Sequence, residues 1–175
     1  MDHDEFARRA EALRARLYRT AYLYLGSEAD ALEAVLDAHP EVDFVQLQVN
    51  YLDWDDPVVQ ARRCMEVAAR HGKPVVVMEP ARGGRLVELP EQVAAILRQA
   101  NPEASLASWA YRFCYQLPGV LTVLSGMSTL EQVEDNLAFM KDFQPLNETE
   151  RAAVEKVQAI FHSKNLIPCT ACRYC

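Results

Sequence analysis

Three cysteines fall within the last seven residues, Cys169-Thr-Ala-Cys172-Arg-Tyr-Cys175. Thiolates at this spacing can wrap successive corners of an iron–sulfur cluster, and C-x2-C-x2-C is the first three-quarters of the ligating run C-x2-C-x2-C-x3-C-P. The fourth thiol of that run is not in the sequence, so a zinc site and no metal at all stay open beside a cluster. A second stretch with chemical potential is Glu79-Pro-Ala-Arg-Gly-Gly84, a glycine-bearing loop that follows an apolar run. In α/β folds the carboxyl end of a strand is where ligands bind. A third is Ser125-Gly126-Met127, followed by a capping signal at Ser128-Thr-Leu-Glu131. A helix amino terminus after a strand and a glycine turn attracts anions, because unpaired N–H groups and the helix dipole both point at the ligand.

The elements that must position these groups alternate. Pro74 to Glu79 contains Val75-Val-Val77 between breakers, which reads as a strand buried on both faces. From Val42 the pattern has period two, with Val45, Leu47 and Val49 on one face and Phe44, Gln46, Gln48 and Asn50 on the other. An inner face that turns polar along its length suits a barrel strand packed at the bottom and open to ligand at the top; an edge strand with one wet face is the plainer reading. Between the two strands, Pro57 is placed to start a helix whose stripe is Val58, Ala61, Met65 and Ala68, ending at Gly72. Strand, helix and strand at this spacing make a βαβ unit with parallel neighbours. Helices are expected over Gln92–Gln99 and Leu106–Tyr115, then a third buried strand over Val120–Leu124, and last a helix opening at Asn147-Glu-Thr-Glu150. At the amino end, Phe6, Ala10, Leu13, Leu17, Ala21 and Leu25 give an amphipathic helix with five arginines around it. Gly26 stops it, and Ser27 with Asp30 caps a second helix to about Ala38.

At 175 residues with 50% hydrophobic residues the chain can bury one sizeable core. A formal net charge of -7 argues against phosphate-backbone binding, so nucleic acid is not an expected partner. No apolar run is long enough to span a membrane, and Met-Asp-His-Asp-Glu is too acidic for a signal peptide. An odd cysteine count clustered at one end is a ligand pattern more than a disulfide framework, which favours a reducing, cytoplasmic setting. Cys64 and Cys114 lie on helical stripes and read as small buried hydrophobes.

From about Asp37 to Cys175 the chain resembles the C-terminal part of aldo/keto reductases that carry a ferredoxin-like iron–sulfur tail. The resemblance rests on Ala38-His-Pro-Glu-Val-Asp-Phe-Val-Gln-Leu-Gln-Val-Asn-Tyr51, His71-Gly-Lys-Pro-Val-Val-Val-Met-Glu-Pro80, Leu124-Ser-Gly-Met-Ser-Thr-Leu-Glu-Gln-Val-Glu-Asp-Asn-Leu137 and Ile167-Pro-Cys-Thr-Ala-Cys-Arg-Tyr-Cys175. It implies an α/β fold, a partial (β/α)8 TIM barrel with strands matching the sixth to eighth, preceded by an N-terminal helical segment. It also implies NADP or NAD as cofactor and an iron–sulfur cluster on Cys169, Cys172 and Cys175. Gln46 matches the glutamine that hydrogen-bonds the nicotinamide amide, and Met78 stands where the family often stacks an aromatic ring on that base. Glu79, Pro80, Ala81, Arg82 and Gly83 align with the loop crossing the pyrophosphate. Ser125, Gly126 and Met127 match the loop after the last strand, and Gln132 and Asn136 the positions that hold the adenosine end. Met127 replaces a basic or hydroxyl residue that many relatives place at the 2′-phosphate, which leaves NAD against NADP open. The family's catalytic Tyr, Lys, Asp and His come from earlier strands that are not in this sequence, so no catalytic residue is assigned; Tyr51, Tyr111 and Tyr115 read as core or rim residues.

Residues 1–35 do not match the reductases. Leu13 to Val35 resembles the start of the polymerase-binding helical region of small extracytoplasmic-function sigma factors, without the helices that read promoter DNA. The expected organisation is therefore an N-terminal helical segment over 1–35, a partial reductase barrel over 36–165 and a truncated cysteine tail over 166–175. The functional expectation is an NAD(P)-linked oxidoreductase-family fragment without competent catalysis. The alternatives are a binding or assembly module that pairs through exposed strand edges, a homo-oligomer included, or an inactive fusion of a sigma-factor helix to a reductase fragment.

Overall fold

The computed structural model describes residues 17–163. The three-cysteine tail and the first part of the arginine-rich helix lie outside the described residues. Helical residues 17–25 (α1) lead into α2 (Glu28–Ala38), β1 (Val45–Gln48), α3 (Ala61–Arg70), β2 (Val75–Met78), α4 (Glu91–Ala100), α5 (Leu106–Tyr115), β3 (Val120–Val123), α6 (Leu130–Lys141) and α7 (Glu148–His162).

The three strands form one parallel sheet in the order β1-β2-β3. Val45 pairs with Val75 and Leu47 with Val77, so the valines of β1 and β2 line up on one face. That face meets the helices: Val45, Val75, Val77 and Val123 belong to one core with Leu32, Leu36, Met65, Val67, Leu97, Trp109 and Val157. β2 is buried through Val75, Val76 and Val77, as a central parallel strand requires. Gln46 and Met78, adjacent on the opposite face, are exposed.

β3 departs from the expectation of a third buried strand. Its register slips against β2, with Val75 opposite Val120 but Val76 opposite Thr122. The extra residue is Leu121, which is 62% exposed, as an unpaired bulge residue turns out of the ladder. α3 also differs from its expected start at Pro57. The Asp56 Oδ1 accepts N–H bonds from Val58 (2.8 Å) and Val59 (2.9 Å), which curls the chain into a separate turn. Gln60 then takes a left-handed φ of 52° and the helix begins at Ala61, leaving Val58 in solvent rather than on the buried stripe.

α2 runs across the junction expected at residues 35/36 and buries Ala29, Leu32 and Leu36 in the common core. Its start is fixed by Ser27 Oγ, which accepts from Asp30 N at 3.2 Å, and Ser27 in turn donates to Gln60 Oε1 at 2.9 Å. At the other end, the expected Asn147/Glu150 capping box opens α7. Glu150 also receives Arg112 from α5, joining the two helices through a buried ion pair.

Cys64 and Cys114 are free thiols in the core. Burial pushes the Cys64 thiol up to about 11, with Glu28 adding to the shift, and raises Cys114 further, where Sγ donates to Val49 O at 3.3 Å. Thiolate is the reactive species, so neither cysteine is expected to react with a thiol reagent at pH 8 until the protein unfolds. Mass mapping of labelled peptides in native and denatured protein checks this; fast native labelling at either position would contradict the packing.

Candidate functional site

Two loops and one helix start enclose a cavity of about 550 Å³ at the carboxyl ends of β2 and β3. The first loop leaves β2 with Glu79 at φ 56°, Arg82 at 51°, Gly83 at 61° and Gly84 at 87°. A run of left-handed residues folds the chain tightly back on itself, and glycine supplies two of them without a side-chain clash. Short bonds then close the loop: Arg82 N to Glu79 O (3.0 Å), Leu86 N to Ala81 O (3.1 Å) and Val87 N to Gly84 O (3.1 Å). Leu86 plugs the core beneath it.

The second loop is Leu124 to Thr129. Ser125 Oγ is held on two sides, 2.7 Å from the Tyr111 hydroxyl and 3.0 Å from Asn136 Nδ2, which donates to it. Tyr111 stacks on Phe139 with ring centroids 5.9 Å apart, so α5 and α6 fix this corner. The capping box of α6 lies one residue beyond the expected Ser128/Glu131 pair. Thr129 is the extended N-cap, and the side chain of Gln132 answers it, accepting from Ser128 N at 2.6 Å and Thr129 N at 3.2 Å. Gly126 faces open space where a side chain would stand.

The structure brings most of the expected cofactor residues together. Glu79, Pro80, Ala81 and Gly83 line one wall of the cavity, and Ser125, Gly126, Met127, Gln132 and Asn136 line the other. Gln46 and Met78 lie elsewhere, in a separate cavity of about 370 Å³ beside β1, where Gln46 Nε2 contacts Met78 Sδ at 3.4 Å. Arg82 does not line either cavity. Its Nε lies 3.0 Å from Asp53 Oδ1, with the two side chains 11% and 2% exposed. Asp53 also accepts from Gln48 Nε2 and Asn50 Nδ2, both at 2.8 Å.

Sequence reasoning did not single out Tyr111 or Asp135 as cavity residues. Asp135 stands three residues after Gln132 and next to Asn136, so helical spacing from either could have found it; it accepts from Ser105 Oγ at 2.7 Å. Gly84 completes a glycine pair already visible in the loop.

Neither Tyr18 nor Tyr51 is set up to donate a proton. Tyr18 lines the Gln46/Met78 cavity, but burial and its hydrogen bond to Glu28 raise its pKa far above the ordinary value. A proton donor needs the opposite shift. Tyr51 is fully buried with an unpartnered hydroxyl, and burial raises its pKa too.

Glu33, Asp37 and His71 bring three potential metal-ligand atoms within 4.8 Å of one another. They already serve as a seam between α2 and α3. His71 Nε2 lies 3.0 Å from Glu33 Oε1, Arg70 bonds the same carboxylate, and these partners, His71 first, hold Glu33 below its ordinary pKa against the opposing effect of burial.

Parallel βα units with a ligand-sized cavity at the carboxyl ends of the strands make an α/β ligand-binding arrangement, shared by barrels and open sheets. The chain belongs to the aldo/keto reductase family, whose model matches residues 26–159. No curated protein matches it. Among solved structures it is similar to the aldo-keto reductase AKR11C1 from Bacillus halodurans. The holo form matches at TM-score 0.54 and 23% identity over 70% of this chain and 46% of that one; the apo form at TM-score 0.50 and 22% identity over 70% and 47%. The fold is thus a partial (β/α)8 barrel, and the chain spans about half the length of these structures.

Proposed function

We propose that the cavity between the β2 and β3 loops is a dinucleotide pocket, and that the chain is an NAD(P)-linked oxidoreductase fragment that binds cofactor without catalysing carbonyl reduction. The convergence of nine expected cofactor residues from separate loops on one cavity carries this reading. The family generally uses NAD(P). The residues present suit the group: Gly83, Gly84 and Gly126 allow close backbone approach, and Ser125, Asn136 and Gln132 offer polar contacts at one end. When bound, the cofactor supplies a hydride; this chain supplies its grip. Among the described residues the lining contains two carboxylates, Glu79 and Asp135, and no lysine or arginine. Like charge disfavours a 2′-phosphate, so NADH is expected to bind more tightly than NADPH.

Gly126→Leu tests the pocket. The position has open space for a side chain, so the variant is expected to keep its melting temperature while losing at least about tenfold in NADH affinity by fluorescence titration, as when a ligand group is displaced from a formed site. Unchanged affinity would remove the pocket assignment. With aldehydes and either NADH or NADPH the full chain is expected to give no turnover above buffer; robust oxidation of either would overturn the non-catalytic part.

The cysteine spacing supports a cluster or metal on Cys169, Cys172 and Cys175. Iron and sulfide analysis after anaerobic reconstitution decides it, and a colourless, iron-free chain refutes it. We propose an N-terminal helical segment, a partial barrel to about 165 and a cysteine tail over 166–175; the family match from residue 26 and the unbroken α2 favour a first boundary earlier than the expected residue 35, and limited proteolysis is the check. Co-sedimentation of the full chain with RNA polymerase core tests the sigma-like segment.

A second reading is favoured by one specific surface. α6 has no buried residue, and Leu121, Leu124, Leu130 and Leu137 are exposed along β3 and α6. β1 and β3 each have one edge unpaired among the described strands. Such edges recruit strands, and we propose a second copy of this chain as the partner. Light scattering across a concentration series should show dimer; a persistent monomer rules it out.

A further inference from the structure

The loop that walls the cavity is strained at two positions where no glycine relieves it. Glu79 and Arg82 both hold left-handed backbone conformations, at φ 56° and 51°. Non-glycine residues stay there only where the surroundings over-determine them. A buried pair, Asn50 and Asp53, reaches both, Glu79 by a hydrogen bond and Arg82 by an ion pair. Asn50 Nδ2 donates to Glu79 O at 3.2 Å and to Asp53 Oδ2 at 2.8 Å, while Asp53 Oδ1 lies 3.0 Å from Arg82 Nε. Asn50 Oδ1 in turn accepts from Leu52 N (3.1 Å) and Asp53 N (2.9 Å), which fixes Asp53 itself. Asn50 and Asp53 are 0% and 1% exposed.

We propose that Asp53 is the positioning residue of the cavity loop, and that Arg82 is its internal pin and not a ligand for phosphate. An arginine in an anion-binding loop is ordinarily read as a phosphate contact, because its fork suits phosphate oxygens. Here it is not among the residues lining the cavity and lies against the carboxylate of Asp53, in the loop after β1. Anion recognition falls to the loop backbone: the N–H groups of Ala81, Gly83 and Gly84 make no backbone hydrogen bond to another described residue, and all three residues line the cavity. The pin sets the left-handed turn that keeps those groups in place. The positional claim for the loop is independent of what binds; its consequence for affinity rests on the dinucleotide reading above.

The test uses the full chain, Arg82→Met and Asp53→Asn. Asp53→Asn/Arg82→Met removes both charges together, keeps an acceptor for Gln48 and Asn50, and serves if a single variant fails to fold, since a neutral pair can replace a buried ion pair. Amide hydrogen exchange over residues 80–87 is the first readout, and NADH and inorganic pyrophosphate affinities at two salt concentrations are the second. Each single variant is expected to exchange faster in this loop and to bind NADH about tenfold more weakly, with the double variant no worse than the singles, because both act on one device. The salt dependence of pyrophosphate binding should not change in Arg82→Met, since no phosphate contact is lost. Weaker binding with unchanged exchange and a flatter salt dependence would make Arg82 a ligand and overturn the proposal. Tighter binding in Asp53→Asn, from a released arginine, would also overturn it. If the wild-type chain binds no dinucleotide, the functional reading fails by itself and loop exchange still decides the pin: unchanged exchange in both variants rejects it.

Discussion

Replacing Glu150 with alanine is expected to destabilise the protein by about 3–5 kcal/mol, the cost of leaving one member of a buried pair without its partner. Arg112 donates to Glu150 Oε1 at 2.9 Å and to Oε2 at 2.7 Å, Asn101 Nδ2 donates to Oε1 at 2.8 Å, and Asn147 N to Oε2 at 2.9 Å. Without the carboxylate, the Arg112 guanidinium keeps the carbonyls of Gln144 and Pro145 but loses its counter-charge. Domain stabilities run to about 5–15 kcal/mol, so much of the protein's margin is at stake. Urea denaturation of the variant checks this, and a midpoint within error of wild type would contradict it.

The same carboxylate gives a pH dependence with a definite sign. Burial by itself would raise its pKa; the hydrogen bonds from Arg112, Asn101 and Asn147 outweigh it and hold the group below 4.5. A carboxyl depressed in the folded state contributes stability that is present above its unfolded pKa and lost as pH falls through the folded value. Wild type should therefore lose stability on acidification below about pH 4.5, and Glu150→Gln should lose less over the same interval. Parallel acid profiles would sink this attribution.

Asn50→Leu is expected to cost about 3 kcal/mol or more, because a side chain of similar size removes four hydrogen bonds and leaves buried partners unsatisfied. The abandoned groups are Leu52 N, Asp53 N and Glu79 O, while Asp53 Oδ2 is left with Gln48 Nε2. The effect should reach the cavity through Glu79, so dinucleotide affinity falls even where the variant remains folded. Asn50→Asp, which keeps the acceptor but sets a second carboxylate against Asp53, should also destabilise, and more at neutral than at acid pH. Thermal melts paired with NADH titration separate the two effects; a variant with wild-type stability would show that the network is dispensable.

Local patterns in the chain were enough to place β2, α5, the α7 capping box and the two cysteines in the core, because breakers, capping residues and periodicity act within a few residues. The α3 start was not legible, since Pro57 suits a helix but the Asp56 side chain captured the next two amides first. The bulge that exposes Leu121 depends on register against another strand, which valine-rich composition does not encode. Of the candidate site, the two loops were readable from their glycines and the family resemblance; their closure around one cavity was not.

The arginine of Glu79-Pro-Ala-Arg-Gly-Gly84 marks the boundary most clearly. Sequence by itself determined that a glycine-rich turn follows a buried parallel strand at the ligand end of an α/β unit, because φ freedom and apolar run length are properties of the residues themselves. Only the tertiary structure decided that Arg82 serves the protein interior. Asp53, twenty-nine residues earlier in the loop after the neighbouring strand, reaches it first, and an ion pair shielded from water holds an arginine that a screened surface charge would leave free.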